Sequence, residues 1–242
     1  MDGLERLRAN IRAVEARIAD ACRRSGRRRE DVRVIAVTKY VSLATVRLAI
    51  REGLQHIGEN RWQDAREKRE AIGDAATWHF IGHLQTNKVK DVVGKFAYIH
   101  SLDRLPLAWE INKRAGGMGI RAQCFIQLNI SGEESKSGLA PDQLDEFAEE
   151  LKTLPNIRVV GLMTMAPLVD DPEATRPVFR ELRKLRDRLN ERGTLGYEIG
   201  GLSMGMSNDF EIAIEEGATW VRLGSVLVGK ETETAAGGAA AD

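Results

Sequence analysis

The sequence predicts a single (β/α)8 barrel of the TIM type with an extra helix at its N-terminus, and two observations carry that reading. Eight short apolar, β-branched runs alternate along the chain with amphipathic helical patterns, the order that builds a parallel sheet closed by helices. Two loop motifs rich in glycine and serine follow the seventh and eighth runs, where this fold keeps its anion site. A length of 242 residues with 43% hydrophobic content suits one such core. A doubly wound open sheet, the main competitor, would have fewer strands and gives no reason for two loop motifs at the end of the chain.

The elements follow in order. Leu4, Leu7, Ile11, Val14 and Ile18 recur at spacings of three and four, one apolar helical stripe that Gly26 is placed to end. The strand candidates are Val32–Val37, Gln55–Ile57, Trp78–Ile81, Phe96–Ile99, Cys124–Ile130, Val159–Met163, Tyr197–Leu202 and Trp220–Leu223. Helical patterns between them include Leu43–Arg51, Leu105–Arg114, Leu144–Leu151 and Phe179–Leu189. Residues 1–230 therefore read as one domain. The stretch 231–242, rich in Gly, Ala and Thr, has no apolar period and is expected to be a disordered tail.

Composition excludes several classes of function. The formal net charge is zero, which argues against a dedicated nucleic-acid binder. The run Arg23, Arg24, Arg27, Arg28, Arg29 has no interleaved aromatic residue and reads as a solvated helix end, with an anionic-partner patch as its rival. Cys22 and Cys124 fall in a helical and a strand pattern and read as small buried apolar residues. No stretch is apolar enough to span a membrane, so the cytoplasm is the expected compartment. His79 and His83 have the spacing of a helical zinc pair but flank a strand, which puts them about 13 Å apart, so no metal is expected.

Three segments carry chemistry. The first strand runs into Thr38-Lys39, which puts a lysine at the C-terminal mouth of a barrel. A lysine in a partly desolvated site loses its proton readily and forms a Schiff base with an aldehyde, although a solvated strand-end lysine is the plainer alternative. The segment Ser203-Met-Gly-Met-Ser207-Asn-Asp209 and the segment Arg222-Leu-Gly224-Ser225 offer hydroxyls, glycines and free backbone N–H groups to a phosphate. Arg222 points opposite to Val221 and Leu223: either outward to a surface ion pair, or inward to a ring nitrogen or an anion.

With these residues in hand, the sequence resembles the pyridoxal phosphate homeostasis protein family. The matching stretches are Ala36-Val-Thr-Lys39, His56-Ile-Gly-Glu59-Asn60, His79-Phe-Ile-Gly-His83-Leu-Gln85-Thr-Asn87-Lys88, His100-Ser101-Leu-Asp103, Gly161-Leu-Met163-Thr-Met165, Leu202 to Phe210 and Trp220 to Ser225. They run in order over nearly the whole chain. The resemblance implies a barrel like that of alanine racemase (fold type III) and pyridoxal 5′-phosphate as cofactor. Lys39 then matches the Schiff-base lysine and Asn60 the neighbour of the ring oxygen. Ser203, Ser207, Gly224 and Ser225 match phosphate contacts, and Arg222 the arginine facing the pyridine nitrogen. Met163 and Met165 line the mouth in the family pattern.

The family's role implies a carrier that keeps free pyridoxal phosphate low and delivers it to apo forms of pyridoxal phosphate-dependent enzymes, without substantial turnover of its own. An amino-acid racemase is the alternative. Such an enzyme resembles a barrel plus a β domain with a second base, and no β domain is read in this chain. A phosphate-sugar or nucleotide enzyme would use the terminal loops but leave Lys39 unexplained. A monomer is expected.

Overall fold

The structure, a computed structural model, describes residues 3–229; the expected tail at 231–242 lies outside the described residues. Strands β1 (Arg33–Val37), β2 (His56–Glu59), β3 (Thr77–Phe80), β4 (Tyr98–Leu102), β5 (Ala122–Gln127), β6 (Ile157–Met163), β7 (Gly201–Ser203) and β8 (Trp220–Leu223) are parallel. They close in sequence order into one barrel, with β8 paired to β1. The helices are α1 (Gly3–Arg24), α2 (Leu43–Arg51), α3 (Trp62–Ile72), α4 (Val89–Val92), α5 (Leu105–Gly117), α6 (Leu144–Lys152), α7 (Arg176–Arg192) and α8 (Phe210–Glu215). Among the described residues no helix is long and apolar enough to cross a membrane.

The seventh strand is the one that departs most from its sequence pattern. Tyr197 to Gly200 stay outside the ladder because Ile199 finds its backbone partners elsewhere: its N–H donates to Asn190 Oδ1 and its carbonyl accepts from Asn190 Nδ2. Tyr197 instead lies outside the strands, where its hydroxyl accepts the Val159 N–H and Arg158 stacks on its ring. The fourth strand starts at Tyr98 rather than Phe96, since Phe96 packs edge-on against Trp62, Trp78 and Phe80. The sequence of β7 is glycine-led for a steric reason. A Cβ on Gly161 would lie 2.1 Å from the Gly201 carbonyl oxygen, and one on Gly201 would lie 2.7 Å from the Phe125 ring.

Helix α1 caps the outside of the barrel. Its buried face, Leu7, Val14, Ile18, Ala21 and Cys22, follows the predicted stripe. Gly26, at φ +66°, ends it: the Gly26 N–H donates to the Arg23 carbonyl and the Arg27 N–H to that of Cys22. The arginine run is engaged by the chain itself. Arg24 pairs with Glu215, Arg28 with Asp31 and Arg29 with Glu15, while Arg27 donates to the carbonyls of Ile214 and Ala218 at the end of α8. Of these, Arg24 and Arg27 tie the end of α1 and the turn after it to α8. Cys22 and Cys124 are buried and free, and burial pushes the Cys124 thiol up to about 12.

Two cores flank the barrel wall. The outer one, between strands and helices, takes Ala36, Trp78, Phe80, Ile99, Cys124, Ile126, Val221 and Leu223. The inner one takes Ile35, Phe125, Met163 and Trp220, with Tyr98, Val160 and Met165 packed against it. Strand alternation then settles Arg222: Trp220 is inside, Val221 and Leu223 are outside, and Arg222 turns inward, 4% exposed.

The lumen also holds polar groups in single file. His56 Nδ1 lies 3.1 Å from His79 Nε2, His79 Nδ1 lies 2.9 Å from His100 Nε2, and His100 Nδ1 lies 2.9 Å from Ser203 Oγ. Arg222 donates to Ser203 Oγ at 2.6 Å and to the Thr164 carbonyl at 3.0 Å. His79 stacks on Tyr98 and His100 on Phe125. Burial holds both rings well below the usual histidine range, helped for His79 by His56 and Arg33 and for His100 by His79 and Arg222.

That depression makes the fold sensitive to acid. His79 and His100 stay neutral in the barrel, whereas the unfolded chain takes up protons on them below about pH 6.5. The unfolding free energy, followed by urea titration, should be level above about pH 7. It should fall between about pH 6.5 and 5 by up to about 1.4 kcal/mol per pH unit for each of the two rings. Burial lowers His56 too and adds to the slope, so His100→Phe should remove part of it; a slope unchanged by the substitution would show that His100 is not depressed in the folded protein.

Candidate functional site

The C-terminal ends of the strands enclose one cavity of about 280 Å³ that gathers six of the seven residues singled out in the sequence: Lys39, Asn60, Ser207, Arg222, Gly224 and Ser225. Each arrives from a strand end. Lys39 follows β1 by two residues, Asn60 follows β2 directly, and Gly224 and Ser225 follow β8. Ser207 sits in the loop between β7 and α8.

The seventh residue, Ser203, is placed elsewhere. It is the last residue of β7, fully buried, and its hydroxyl is engaged by His100 and Arg222 rather than lining the cavity. The correction has a simple cause: β7 extends one residue past Leu202, so Ser203 belongs to the strand's lumen face and not to the loop. Met165 lines the cavity, whereas Met163 is core.

The backbone around Lys39 is fixed by a buried network that sequence reasoning missed. The Thr38 hydroxyl donates to Glu59 Oε1 at 2.5 Å. The Lys68 ammonium donates to the same oxygen at 2.9 Å and to the Thr38 carbonyl at 2.7 Å. Glu59 is wholly buried and Lys68 nearly so. Such a pair adds little net stability, but removing one partner strands the other charge at a cost of about 3–5 kcal/mol. It therefore locks the ends of β1 and β2 together, with the Thr38 N–H donating to the Gly58 carbonyl as well. The signal for Lys68 was present: with Trp62, Ala65 and Ile72 it occupies the inward stripe of α3, where a lysine needs a buried acid. Among the described residues the Lys39 ammonium has no hydrogen-bond or ion-pair partner and lies 4.9 Å from the centre of the Tyr40 ring, so the amine is available to a ligand.

A neighbouring close approach explains Gly82. A Cβ there would lie 2.2 Å from the Asn60 carbonyl oxygen, so glycine is what lets the loop after β3 lie flush against the residue after β2. The Asn60 side chain is left without a protein partner among the described residues.

The loop after β7 is shaped by Gly205, at φ +97°, whose carbonyl accepts the Arg222 N–H. Asp209 then folds the loop back by accepting the Met206 N–H at 2.7 Å. Burial pushes the Asp209 carboxyl up, opposed by that N–H and by the Arg222 charge. Among the described residues the backbone N–H groups of Ser207, Asn208, Gly224 and Ser225 have no protein acceptor. A Cβ on Gly224 would meet only Val37, at an ordinary 3.6 Å, so the fold itself does not require glycine there. Burial lowers the Arg222 guanidinium to about 10, so it still carries its charge at neutral pH.

His83 stands apart from the buried column, exposed and 3.3 Å from the Ser137 hydroxyl. Among the described residues no group of three or more His, Cys, Asp or Glu is arranged to hold a metal ion.

The chain can now be set beside known proteins. The alanine racemase N-terminal domain family matches residues 4–232. A pyridoxal phosphate homeostasis protein of Aquifex aeolicus is 47% identical over 231 residues, covering 95% of this chain and 99% of its own. A solved protein from Bifidobacterium adolescentis, of unknown role, superposes with a TM-score of 0.85 at 35% identity, covering 94% of this chain and 97% of its own. The PipY protein of Synechococcus elongatus, solved with pyridoxal phosphate bound, gives 0.76 at 35% identity, covering 82% of this chain and 93% of its own. The chain belongs to the alanine racemase N-terminal domain family and, within it, to the pyridoxal phosphate homeostasis proteins.

Proposed function

We propose that this protein holds one pyridoxal 5′-phosphate in the strand-end cavity, as a Schiff base on Lys39, and serves as a carrier that hands the cofactor to apo forms of pyridoxal phosphate-dependent enzymes. The observation that carries the reading is the convergence in one cavity of a primary amine, a guanidinium and four free backbone N–H groups. Those are the partners that an aldehyde, a pyridine nitrogen and a phosphate dianion require. Asn60 adds an amide with free hydrogen-bonding capacity beside Lys39, suited to the ring oxygen. The bound cofactor found in PipY, at 35% identity, supports the same assignment.

The residues divide the work. The Lys39 amine, once neutral, would condense with the aldehyde, the carbonyl oxygen leaving as water. Ser207, Gly224 and Ser225 receive the phosphate. Arg222 faces the ring nitrogen and can only donate a hydrogen bond to it, so the nitrogen accepts and stays unprotonated. Pyridoxal phosphate in general supplies an electron sink, which is shallow without a protonated ring. The ionisable groups lining the cavity are Lys39, Asp209 and Arg222, and one oxygen of Asp209 is turned to the Met206 N–H of its own loop. These features support a carrier over a racemase, which needs a second acid or base on the far face of its substrate. The rim supports release: Tyr40 and Leu168 are 60% and 82% exposed, so the mouth has no roof among the described residues.

Borohydride reduction of the loaded protein followed by peptide mapping should place the pyridoxyl group on Lys39, and Lys39→Ala should abolish labelling while leaving the circular dichroism spectrum intact. A label on any other lysine would overturn the assignment.

Pyridoxal lacks the phosphate, so it should bind at least about tenfold more weakly than pyridoxal phosphate, since charge-assisted bonds to the free N–H groups are lost. Equal affinities in equilibrium dialysis would move the anion site away from Ser207, Gly224 and Ser225.

Loaded protein incubated with L-alanine in deuterated water should show no exchange at Cα at enzyme-like rates. Exchange that is rapid, and lost in Lys39→Ala, would replace the carrier with the racemase.

A further inference from the structure

Three of the chain's four histidines, His56, His79 and His100, lie on the consecutive strands β2, β3 and β4 and are joined nitrogen to nitrogen down the barrel. The cofactor reading above uses none of them. Their hydrogen-bond directions nevertheless follow from one fixed point. A guanidinium has donors only, so at the 2.6 Å contact Arg222 donates and Ser203 Oγ accepts. The Ser203 hydroxyl hydrogen has one acceptor among the described residues, His100 Nδ1 at 2.9 Å. His100 is neutral, so with a bare Nδ1 its proton sits on Nε2 and donates to His79 Nδ1. His79, neutral in turn, carries its proton on Nε2 and donates to His56 Nδ1. The opposite sense would send both Arg222 and His100 hydrogens into Ser203 Oγ and leave the hydroxyl hydrogen without a partner.

In the derived sense every member turns its lone pair toward Arg222 and its N–H away. Oxygen, then nitrogen, then nitrogen, then nitrogen face the cation in sequence. Among the described residues Arg222 has no carboxylate within ion-pair distance; Asp209 acts on it only through space. A buried charge without a counter-ion needs oriented dipoles, and the column provides them. Dipoles differ from a carboxylate in one respect that matters here. They hold the guanidinium in place without neutralising it, so its remaining N–H groups and its charge stay directed at the cavity.

We propose that His100, His79 and His56, acting through Ser203, are positioning residues of the cofactor pocket: a one-way column of Nε2–H tautomers that aims Arg222 at the ring nitrogen of the ligand. The ligand half of this statement rests on the cofactor reading above; the tautomer half does not.

The test has two parts, both on the full chain. Ligand-free protein labelled with 15N-histidine should show His79 and His100 as neutral Nε2–H tautomers in long-range proton–nitrogen spectra. An Nδ1–H tautomer at either ring would overturn the column whatever the protein binds. The second part compares pyridoxal phosphate with its 1-deaza analogue, which keeps the aldehyde and the phosphate but lacks the ring nitrogen. Wild type should prefer pyridoxal phosphate by about tenfold, the worth of a charge-assisted hydrogen bond. His100→Phe, an aromatic replacement beside Phe125, should erase that preference while leaving affinity for the deaza analogue unchanged. His100→Gln, which keeps one donor and one acceptor, should restore most of it. A merely structural role would weaken both ligands equally in His100→Phe, and that result would overturn the proposal. Should His100→Phe fail to fold, Ser203→Ala carries the same comparison, since it cuts the column at its Arg222 end. If wild type binds neither ligand, the cofactor reading fails while the tautomer measurement still decides the column.

Discussion

A guanidinium enclosed by a parallel barrel has to be satisfied from inside that barrel, and much of the lumen is arranged to do so. Arg222 cannot shed its charge cheaply, and among the described residues no acid pairs with it directly; Asp209 acts only through space. An isolated buried cation is among the most expensive things a fold can hold. Three strands meet the demand. The last residue of β7 supplies the Ser203 hydroxyl, the residue just past β6 supplies the Thr164 carbonyl, and β8 itself is tied back through the Arg222 N–H to Gly205. Closure of β8 onto β1 then holds Arg222 level with Ile35, at the base of the mouth. The histidines extend the same accommodation away from the mouth, toward Trp220 and Tyr98.

A second polar cluster stands on the other side of the barrel wall and obeys a different rule. Glu59 and Lys68 are a true ion pair, bonded to each other and to both ends of the Thr38 peptide's neighbourhood through its hydroxyl and carbonyl. Only one oxygen of Glu59 is used; Oε2 is buried without a partner. An incompletely satisfied pair of this kind is a poor source of stability and a good source of register, because no other arrangement of β1, β2 and α3 keeps both charges matched. Lys39 is thus an unpaired arm on a clamped base, the division of labour that the proposed covalent attachment needs.

How much of this could be read from one sequence depends on whether the partners are local. Lys39, Asn60, Gly224 and Ser225 were legible because a strand end in this fold is a mouth position by construction. Arg222 was half legible: alternation set it against Val221 and Leu223, but only barrel closure decided which side was inside. Ser203 was misplaced because its partner His100 is 103 residues away and nothing nearby distinguishes a strand's last residue from a loop's first. The histidines were hidden for the opposite reason. His79 drew attention through His83, four residues on, whereas its partners His56 and His100 are 23 and 21 residues away. Those separations are one strand–helix unit each. A polar residue recurring at the unit repeat, on lumen positions of successive strands, is the signal that a barrel carries a column, and it is visible only once the repeat is known.

The two clusters brace the strand-end cavity, and the proposed carrier role rests on what they leave open above it. The groups proposed to orient the ligand are braced from below: Arg222 by Ser203 and Thr164, the loop after β7 by Asp209, and the ends of β1 and β2 by Glu59 and Lys68. What lies above is sparse. Tyr40 and Leu168 stand exposed at the rim, and among the described residues the Lys39 ammonium meets a ring but no hydrogen-bond partner. An enzyme acting on the bound group has to add a second proton-transfer group over the open face and exclude water there. A carrier has the opposite need, since water must reach the attachment point to reverse it. The asymmetry between a braced floor and an open rim is what the carrier reading requires, and the residues that do the bracing, Ser203, Glu59 and Lys68, lie outside the cavity lining.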